Sequence, residues 1–189
     1  MIRIIIFASG SGTNAQNIMQ RFKNNKKIAI TAVLSNKKDA KVLDRAKNFG
    51  IITKVFTRND FYETPEIVEY VKNHADFIVL AGFLWKIPKE LIAAFPNKII
   101  NIHPALLPKY GGKGMFGMHV HQAVVANKEK KTGITIHFVN ENYDEGAIIF
   151  QKEVDLSPQD TPEIVAQKIH VLEQENLPKV IEELLLKNG

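Results

Sequence analysis

No cysteine occurs among the 189 residues. Disulfides, thiolate metal sites and a cysteine nucleophile are therefore excluded, and the absence fits a reducing compartment. Long hydrophobic runs are missing too. The apolar N-terminus, Ile2-Arg3-Ile4-Ile5-Ile6-Phe7-Ala8, is far shorter than the roughly 20 residues a membrane helix needs. It has neither the basic leader nor the long apolar stretch of a signal peptide. A buried first strand accounts for it better, so the expectation is a cytoplasmic protein with no membrane contact. Repeats, low-complexity segments and linkers are also absent, which predicts one domain over residues 1–189. The lysines (Lys26, Lys27, Lys37, Lys38, Lys130, Lys131) are scattered without interleaved aromatics. No nucleic-acid partner is expected from that pattern. The net charge of +5 suits anionic small molecules. It is equally what a lysine-rich solvated surface produces.

What is present alternates. Apolar runs at Ile2–Ala8, Ile28–Leu34, Ile51–Phe56, Phe77–Ala81 and Ile99–His103 read as strands. Between them, helices are expected from about Asn14 to Asn25, Ala40 to Phe49, Glu63 to His74 and Pro88 to Phe95. Gly50 closes the second helix, and Pro65 sits in the first turn of the third. This alternation predicts an α/β fold: a doubly wound, mostly parallel sheet with helices on both faces. After Pro104 the pattern changes. A loop from Pro104 to Met118 carries Gly111, Gly112, Gly114 and Gly117, and a helix follows from His119 to Asn127. Gly133–Val139 and Ala147–Val154 read as neighbouring strands added at the far edge of the sheet. The chain closes with an amphipathic helix from about Pro162 to Lys187, in which Pro178 predicts a kink.

The most informative stretch is Asn101-Ile102-His103-Pro104-Ala105-Leu106-Leu107-Pro108. Asn101 and His103 lie two apart at a strand end, so their side chains share a face. Pro104 and Pro108 then end the regular structure. Strand ends of open parallel sheets are where ligands bind. An amide and an imidazole aimed into one crevice suit a developing oxyanion. Downstream, Asn142-Tyr143-Asp144-Glu145-Gly146 supplies a carboxylate able to hold such a histidine protonated. On its own that segment is also an ordinary turn with an exposed acid. His137 shares a strand face with Thr135, and either packing or a role orienting Asp144 or a water fits it.

Ser9-Gly10-Ser11-Gly12-Thr13-Asn14 links the first strand to the first helix. Glycine allows close approach of a ligand, and a helix N-terminus presents free N–H groups suited to phosphate. With Ala15 the turn matches a dinucleotide fingerprint. However, the second strand ends Leu34-Ser35-Asn36-Lys37-Lys38, with no acid for a ribose diol. A single phosphate on Gly12, Thr13 and Asn14 is therefore favoured. An oxidoreductase or a non-catalytic nucleotide sensor built on the same turn are the alternatives. His119-Val120-His121 has a spacing found in metal sites, but it opens a helix with no carboxylate nearby, so no metal is expected.

Together these motifs closely resemble the phosphoribosylglycinamide formyltransferases, the folate-dependent enzymes of purine synthesis. The resemblance runs nearly end to end, through Ser9–Asn14, Leu34-Ser35-Asn36, Leu80-Ala81-Gly82-Phe83, Asn101–Pro108, His137-Phe138-Val139 and Asp144-Glu145-Gly146. It implies formyl transfer from 10-formyltetrahydrofolate to the amine of glycinamide ribonucleotide, with catalytic roles for Asn101, His103 and Asp144. It implies nucleotide contacts from Ser11, Gly12, Thr13 and Asn14, and an amine-side contact from Glu173. The folate pterin would lie against Leu84, Trp85, Lys86 and Ile87 and against the loop that holds Asn140 and Glu141. Partners would be these small molecules, with the chain a monomer or homodimer. Methionyl-tRNA formyltransferases share the Asn-His-Asp set but carry a further tRNA-binding domain, so the ribonucleotide is the expected acceptor. The chain departs from the family pattern at Leu84-Trp85-Lys86-Ile87 and near Phe61–Thr64, where Arg58 is the nearest basic residue. The loop from Tyr110 to Met118 is longer than in compact members and is expected to be a mobile cover near the nucleotide.

Overall fold

Ile4, Ile5, Ile6 and Phe7 are all fully buried. An apolar run without alternation requires cover on both faces, which is the environment of a central parallel strand. In the computed structural model, which describes residues 1–186, this run is β1 (Ile2–Phe7). It pairs in parallel with β2 (Ile28–Ser35) and with β4 (Phe77–Leu80). β2 pairs in parallel with β3 (Ile52–Val55). The full strand order is β3-β2-β1-β4-β5-β6-β7, with β5 (Ile99–His103), β6 (Lys131–Phe138) and β7 (Ile148–Asp155). β6 and β7 are antiparallel. The fold is therefore α/β with a mostly parallel sheet, as the alternation predicts.

The chain divides into two compact units, one over residues 1–100 and one from residue 101 onward. In the first, α1 (Thr13–Phe22) and α2 (Lys41–Asn48) follow β1 and β2, and α5 (Lys89–Ala94) precedes β5. The helix expected from Glu63 to His74 forms as α4 (Glu66–His74), and a short helix that was not expected, α3 (Arg58–Tyr62), precedes it. The physical reason is capping. The Thr57 hydroxyl accepts from the Asp60 N–H, and the Asp60 carboxylate accepts from the Thr57 N–H. This capping box starts a helix ahead of the one read from periodicity. Pro65 then caps α4 from outside rather than sitting in its first turn. Phe7, Phe56, Phe61, Phe83 and Trp85 form one aromatic cluster, with ring centroids 4.9–6.4 Å apart. That cluster ties the segment after β4 to the body of the unit.

In the second unit, α7 (Pro162–Leu186) packs on α6 (Met118–Ala126) and on β6. Val165, Ile169, Leu172, Leu177 and Ile181 form its buried stripe. The helix continues past Pro178, which lies buried within it. Lys187, the expected last residue of this helix, lies outside the described residues. No helix among the described residues is long and apolar enough to cross a membrane.

Candidate active site

β5 carries Asn101 and His103 to its C-terminal end, both on one face. His103 is 3% exposed. Its Nε2 lies 2.7 Å from the Tyr110 carbonyl oxygen. A carbonyl can only accept, so Nε2 carries a proton and donates. That leaves Nδ1 as the nitrogen facing Asp144, 3.6 Å from its Oδ2. Asp144 sits between β6 and β7 with φ 57°, a left-handed conformation that aspartate tolerates better than most residues. Its Oδ2 also accepts from the Gly112 N–H at 2.9 Å, and its Oδ1 lies 3.6 Å from His137 Nε2.

His137 completes the cluster. Its Nδ1 lies 2.8 Å from the Phe138 carbonyl and its Nε2 lies 3.2 Å from Asn101 Nδ2. The β6–β7 register slips between Ile136 and His137, a bulge that re-aims the side chain at that point. The returning chain passes very close there. A Cβ on Gly146 would collide with the Phe138 carbonyl oxygen, so only glycine fits.

Two neighbouring contacts hold the backbone after His103. Thr135, fully buried, accepts from the Leu107 N–H at 3.0 Å and donates to the Ala105 carbonyl at 2.7 Å. Gln151 donates to both Thr135 Oγ1 and the Leu107 carbonyl. The loop after Tyr110 is thus tied to the cluster at its start, through Tyr110 and Gly112. Nothing in the residue types of that loop announces these contacts, because both are made by backbone atoms. Thr135 had a signal, its strand face shared with His137.

The electrostatics amend one expectation. Burial pushes the His103 pKa down, and Asp144 and the Tyr110 hydrogen bond work against it without overcoming it. The carboxylate does favour the charged ring, but burial outweighs it and favours the neutral one. For Asp144, burial alone would raise the pKa. The His137 ring, the neighbouring His103 and the Gly112 N–H outweigh it and hold the carboxyl below its ordinary value.

The phosphate-loop candidates lie in the first unit. Ser11 is exposed, Gly12 is buried, and Thr13 and Asn14 are half-buried at the start of α1. Gly12 is the N-cap, with φ 73°. A Cβ there would collide with Val42 in α2. The site of close approach is therefore also a packing requirement. Arg45 of α2 donates from Nε to the Ser11 carbonyl at 2.7 Å and from Nη1 to Gln16. Neither contact was foreseen from the sequence. Ser9 links this turn to the pterin candidates: its hydroxyl donates to Asn36 and accepts from the Leu84 N–H at 3.1 Å.

Leu84 is 40% exposed and Ile87 only 4%, while Trp85 is half-buried and Lys86 exposed. Tyr62 donates to the Lys86 carbonyl at 2.8 Å. The Arg58 guanidinium stacks over Tyr62 at 4.9 Å and Trp85 at 5.8 Å. Asn140 and Glu141 lie exposed on the β6–β7 connection, where Asn140 Oδ1 accepts from the Asn142 N–H. Glu173 lies on α7, its side chain 15% exposed and 3.9 Å from His170. The direct contacts thus join Asn101, His103, Asp144 and His137 within the second unit. His119 and His121 do not converge on α6. The first is exposed against Phe116, and the second is buried with Nδ1 unpartnered.

Comparison with known proteins points to one family. The formyl transferase family model covers residues 2–181. Phosphoribosylglycinamide formyltransferase of Bacillus subtilis is 37% identical over 195 residues, covering 100% of this chain and 97% of the relative. The chloroplastic phosphoribosylglycinamide formyltransferase of Arabidopsis thaliana is 39% identical over 174 residues, 88% of this chain. The chain spans only 60% of that plant relative's length. The crystal structure of phosphoribosylglycinamide formyltransferase from Bacillus halodurans superposes with a TM-score of 0.88 at 34% identity, covering 99% of this chain and 97% of that one. With the match spanning both units and enclosing the Asn101–His103–Asp144 cluster, this chain belongs to the formyl transferase family.

Proposed function

We propose that the protein transfers the formyl group of 10-formyltetrahydrofolate to the amine of glycinamide ribonucleotide, a step of purine biosynthesis. The observation that carries this reading is the convergence of Asn101, His103 and Asp144 at the end of β5 in a formyl transferase. The substrate amine attacks the formyl carbon and a carbon–nitrogen bond forms. Negative charge grows on the formyl oxygen, and the bond to the folate nitrogen then breaks. Asn101 supplies an N–H to that oxygen from a preorganised position.

His103 starts neutral, so its part depends on taking a proton from solvent at Nδ1, since Nε2–H is already committed to Tyr110. The growing negative charge and Asp144 both favour that gain. Asp144, directly or through a water, relays the proton released by the amine toward the leaving folate nitrogen. Nucleotide phosphate is assigned to Ser11, Gly12, Thr13 and Asn14, and the amine side to Glu173. The pterin is assigned to Leu84, Trp85, Lys86 and Ile87 with Asn140 and Glu141. Arg58 adds a guanidinium stacked over Trp85 of that segment.

The direct test is an assay of purified protein with glycinamide ribonucleotide and 10-formyltetrahydrofolate, without added metal or nucleoside triphosphate. Formylated ribonucleotide and tetrahydrofolate should appear in equal amounts. Turnover that requires ATP and free formate, or none with these substrates, overturns the reading.

A further inference from the structure

His137 makes a set of contacts that decides how Asn101 is presented. The Phe138 carbonyl, 2.8 Å from His137 Nδ1, can only accept a hydrogen bond. Nδ1 therefore holds a proton in either charge state of the ring. In the neutral ring Nε2 is then a lone pair, and it faces Asn101 Nδ2 at 3.2 Å. A lone pair accepts from an amide N–H and repels an amide oxygen. The Asn101 amide is thereby held in one of its two flip states, with Nδ2 toward His137. One N–H of that NH₂ group is used by His137, and the second remains for another acceptor. The burial of His137, 2% exposed, leaves the ring little freedom to break this arrangement. The bulge at Ile136/His137 and the close pass of Gly146 bring the returning chain up against the same residue.

We propose that His137 is a positioning residue which, as its Nδ1–H tautomer, locks the Asn101 amide so that an N–H and not the oxygen meets the formyl oxygen. This rests on the formyl-transfer reading for its consequence, but not for its geometry. The lock matters because a flipped amide would point its oxygen at a developing oxyanion and repel it.

The tautomer is tested first, in the wild-type protein. Long-range ¹H–¹⁵N correlation at neutral pH should find the His137 proton on Nδ1. A proton on Nε2, alone or together with one on Nδ1, overturns the proposal, whatever the protein catalyses. In formyl transfer, His137→Phe should lower kcat about tenfold, the rate equivalent of one neutral hydrogen bond, with KM values within about twofold. His137→Gln, whose side-chain oxygen can accept from Asn101, should recover most of that loss. On an Asn101→Ala background, His137→Phe should cost nothing further, because the group it positions is gone. Equal losses on both backgrounds mark a packing role and overturn the proposal, as does a Gln variant slower than about tenfold below wild type. If His137→Phe does not fold, the Gln variant and the tautomer decide. Absence of wild-type turnover refutes the formyl-transfer reading alone, since the tautomer measurement stands without it.

Discussion

At the scale of residues, one nitrogen separates a resting imidazole from a working one. His103 Nε2 is committed to the Tyr110 carbonyl, so every change of charge occurs at Nδ1, beside Asp144. Asp144→Asn keeps the shape and removes the charge and the proton acceptor. We expect kcat to fall on the order of 10²–10⁴-fold with small changes in KM, the range for acid–base groups. NMR titration should place the His103 pKa lower still in that variant, because Asp144 is the main influence raising it. An unchanged rate together with an unchanged titration would move the carboxylate's role to Glu145 or Glu173.

The same shifts set an acid limit on stability. The His103 and Asp144 pKa values are both lowered in the folded state, so the unfolded chain binds more protons. The histidine contribution is fully present above its unfolded value of roughly 6.5 and is lost as pH falls through the folded value. The Asp144 contribution follows the same sign at lower pH. Denaturant midpoints at constant salt should therefore fall as pH drops below about 6.5. A midpoint that rises over that interval would contradict the burial argument.

At the scale of elements, single atoms pin whole segments. Thr135 on β6 holds the chain at Ala105 and Leu107, immediately beyond His103. Thr135→Val is nearly isosteric but strands the buried Leu107 N–H. A loss of about 1–3 kcal/mol is expected in chemical denaturation, the cost of an unsatisfied buried group. Because the same segment supports His103, kcat should fall as well. The start of α1 depends on Gly12 in a comparable way. Gly12→Ala combines a left-handed φ with a Cβ driven into Val42. It should destabilise by about 1–3 kcal/mol, read as a fall in Tm, even before any ligand is considered. For that reason a bulky substitution at Gly12 does not isolate phosphate binding. Ser11, exposed and adjacent, is the cleaner position to vary.

At the scale of the whole molecule, the positive balance of +5 acts at long range. It raises the local concentration of anionic ligands and is weakened by salt, with a screening length of about 10 Å at 0.1 M. Raising ionic strength from about 0.05 to 0.5 M should increase KM for the phosphorylated substrate several-fold and leave kcat much less affected. A KM insensitive to salt would reduce the lysines to a solvated surface. The distribution of burial fits an enzyme whose chemistry is local. Ile4 to Phe7 anchor the centre of the sheet, and the titratable groups that matter gather at the end of β5.

Much of this was legible in residue order. The unbroken apolar run of β1 and the βαβ alternation determined a parallel sheet, because a strand buried on both faces has no other composition. Asn101 and His103, two apart before a proline, determined a shared face at a strand end. The Ser9–Asn14 turn determined a tight strand-to-helix connection. Other features were decided by tertiary structure alone. Periodicity missed α3, since a five-residue helix started by a capping box leaves little periodic trace. The sequence offers Asp144 both as a partner for His103 and as an ordinary turn acid, and only folding brings it 3.6 Å from His103. The charge of His103 is settled by desolvation, a property of everything packed around it and of no single neighbour. The tautomer of His137 is settled by a backbone carbonyl, which every residue possesses and which no side-chain pattern can reveal.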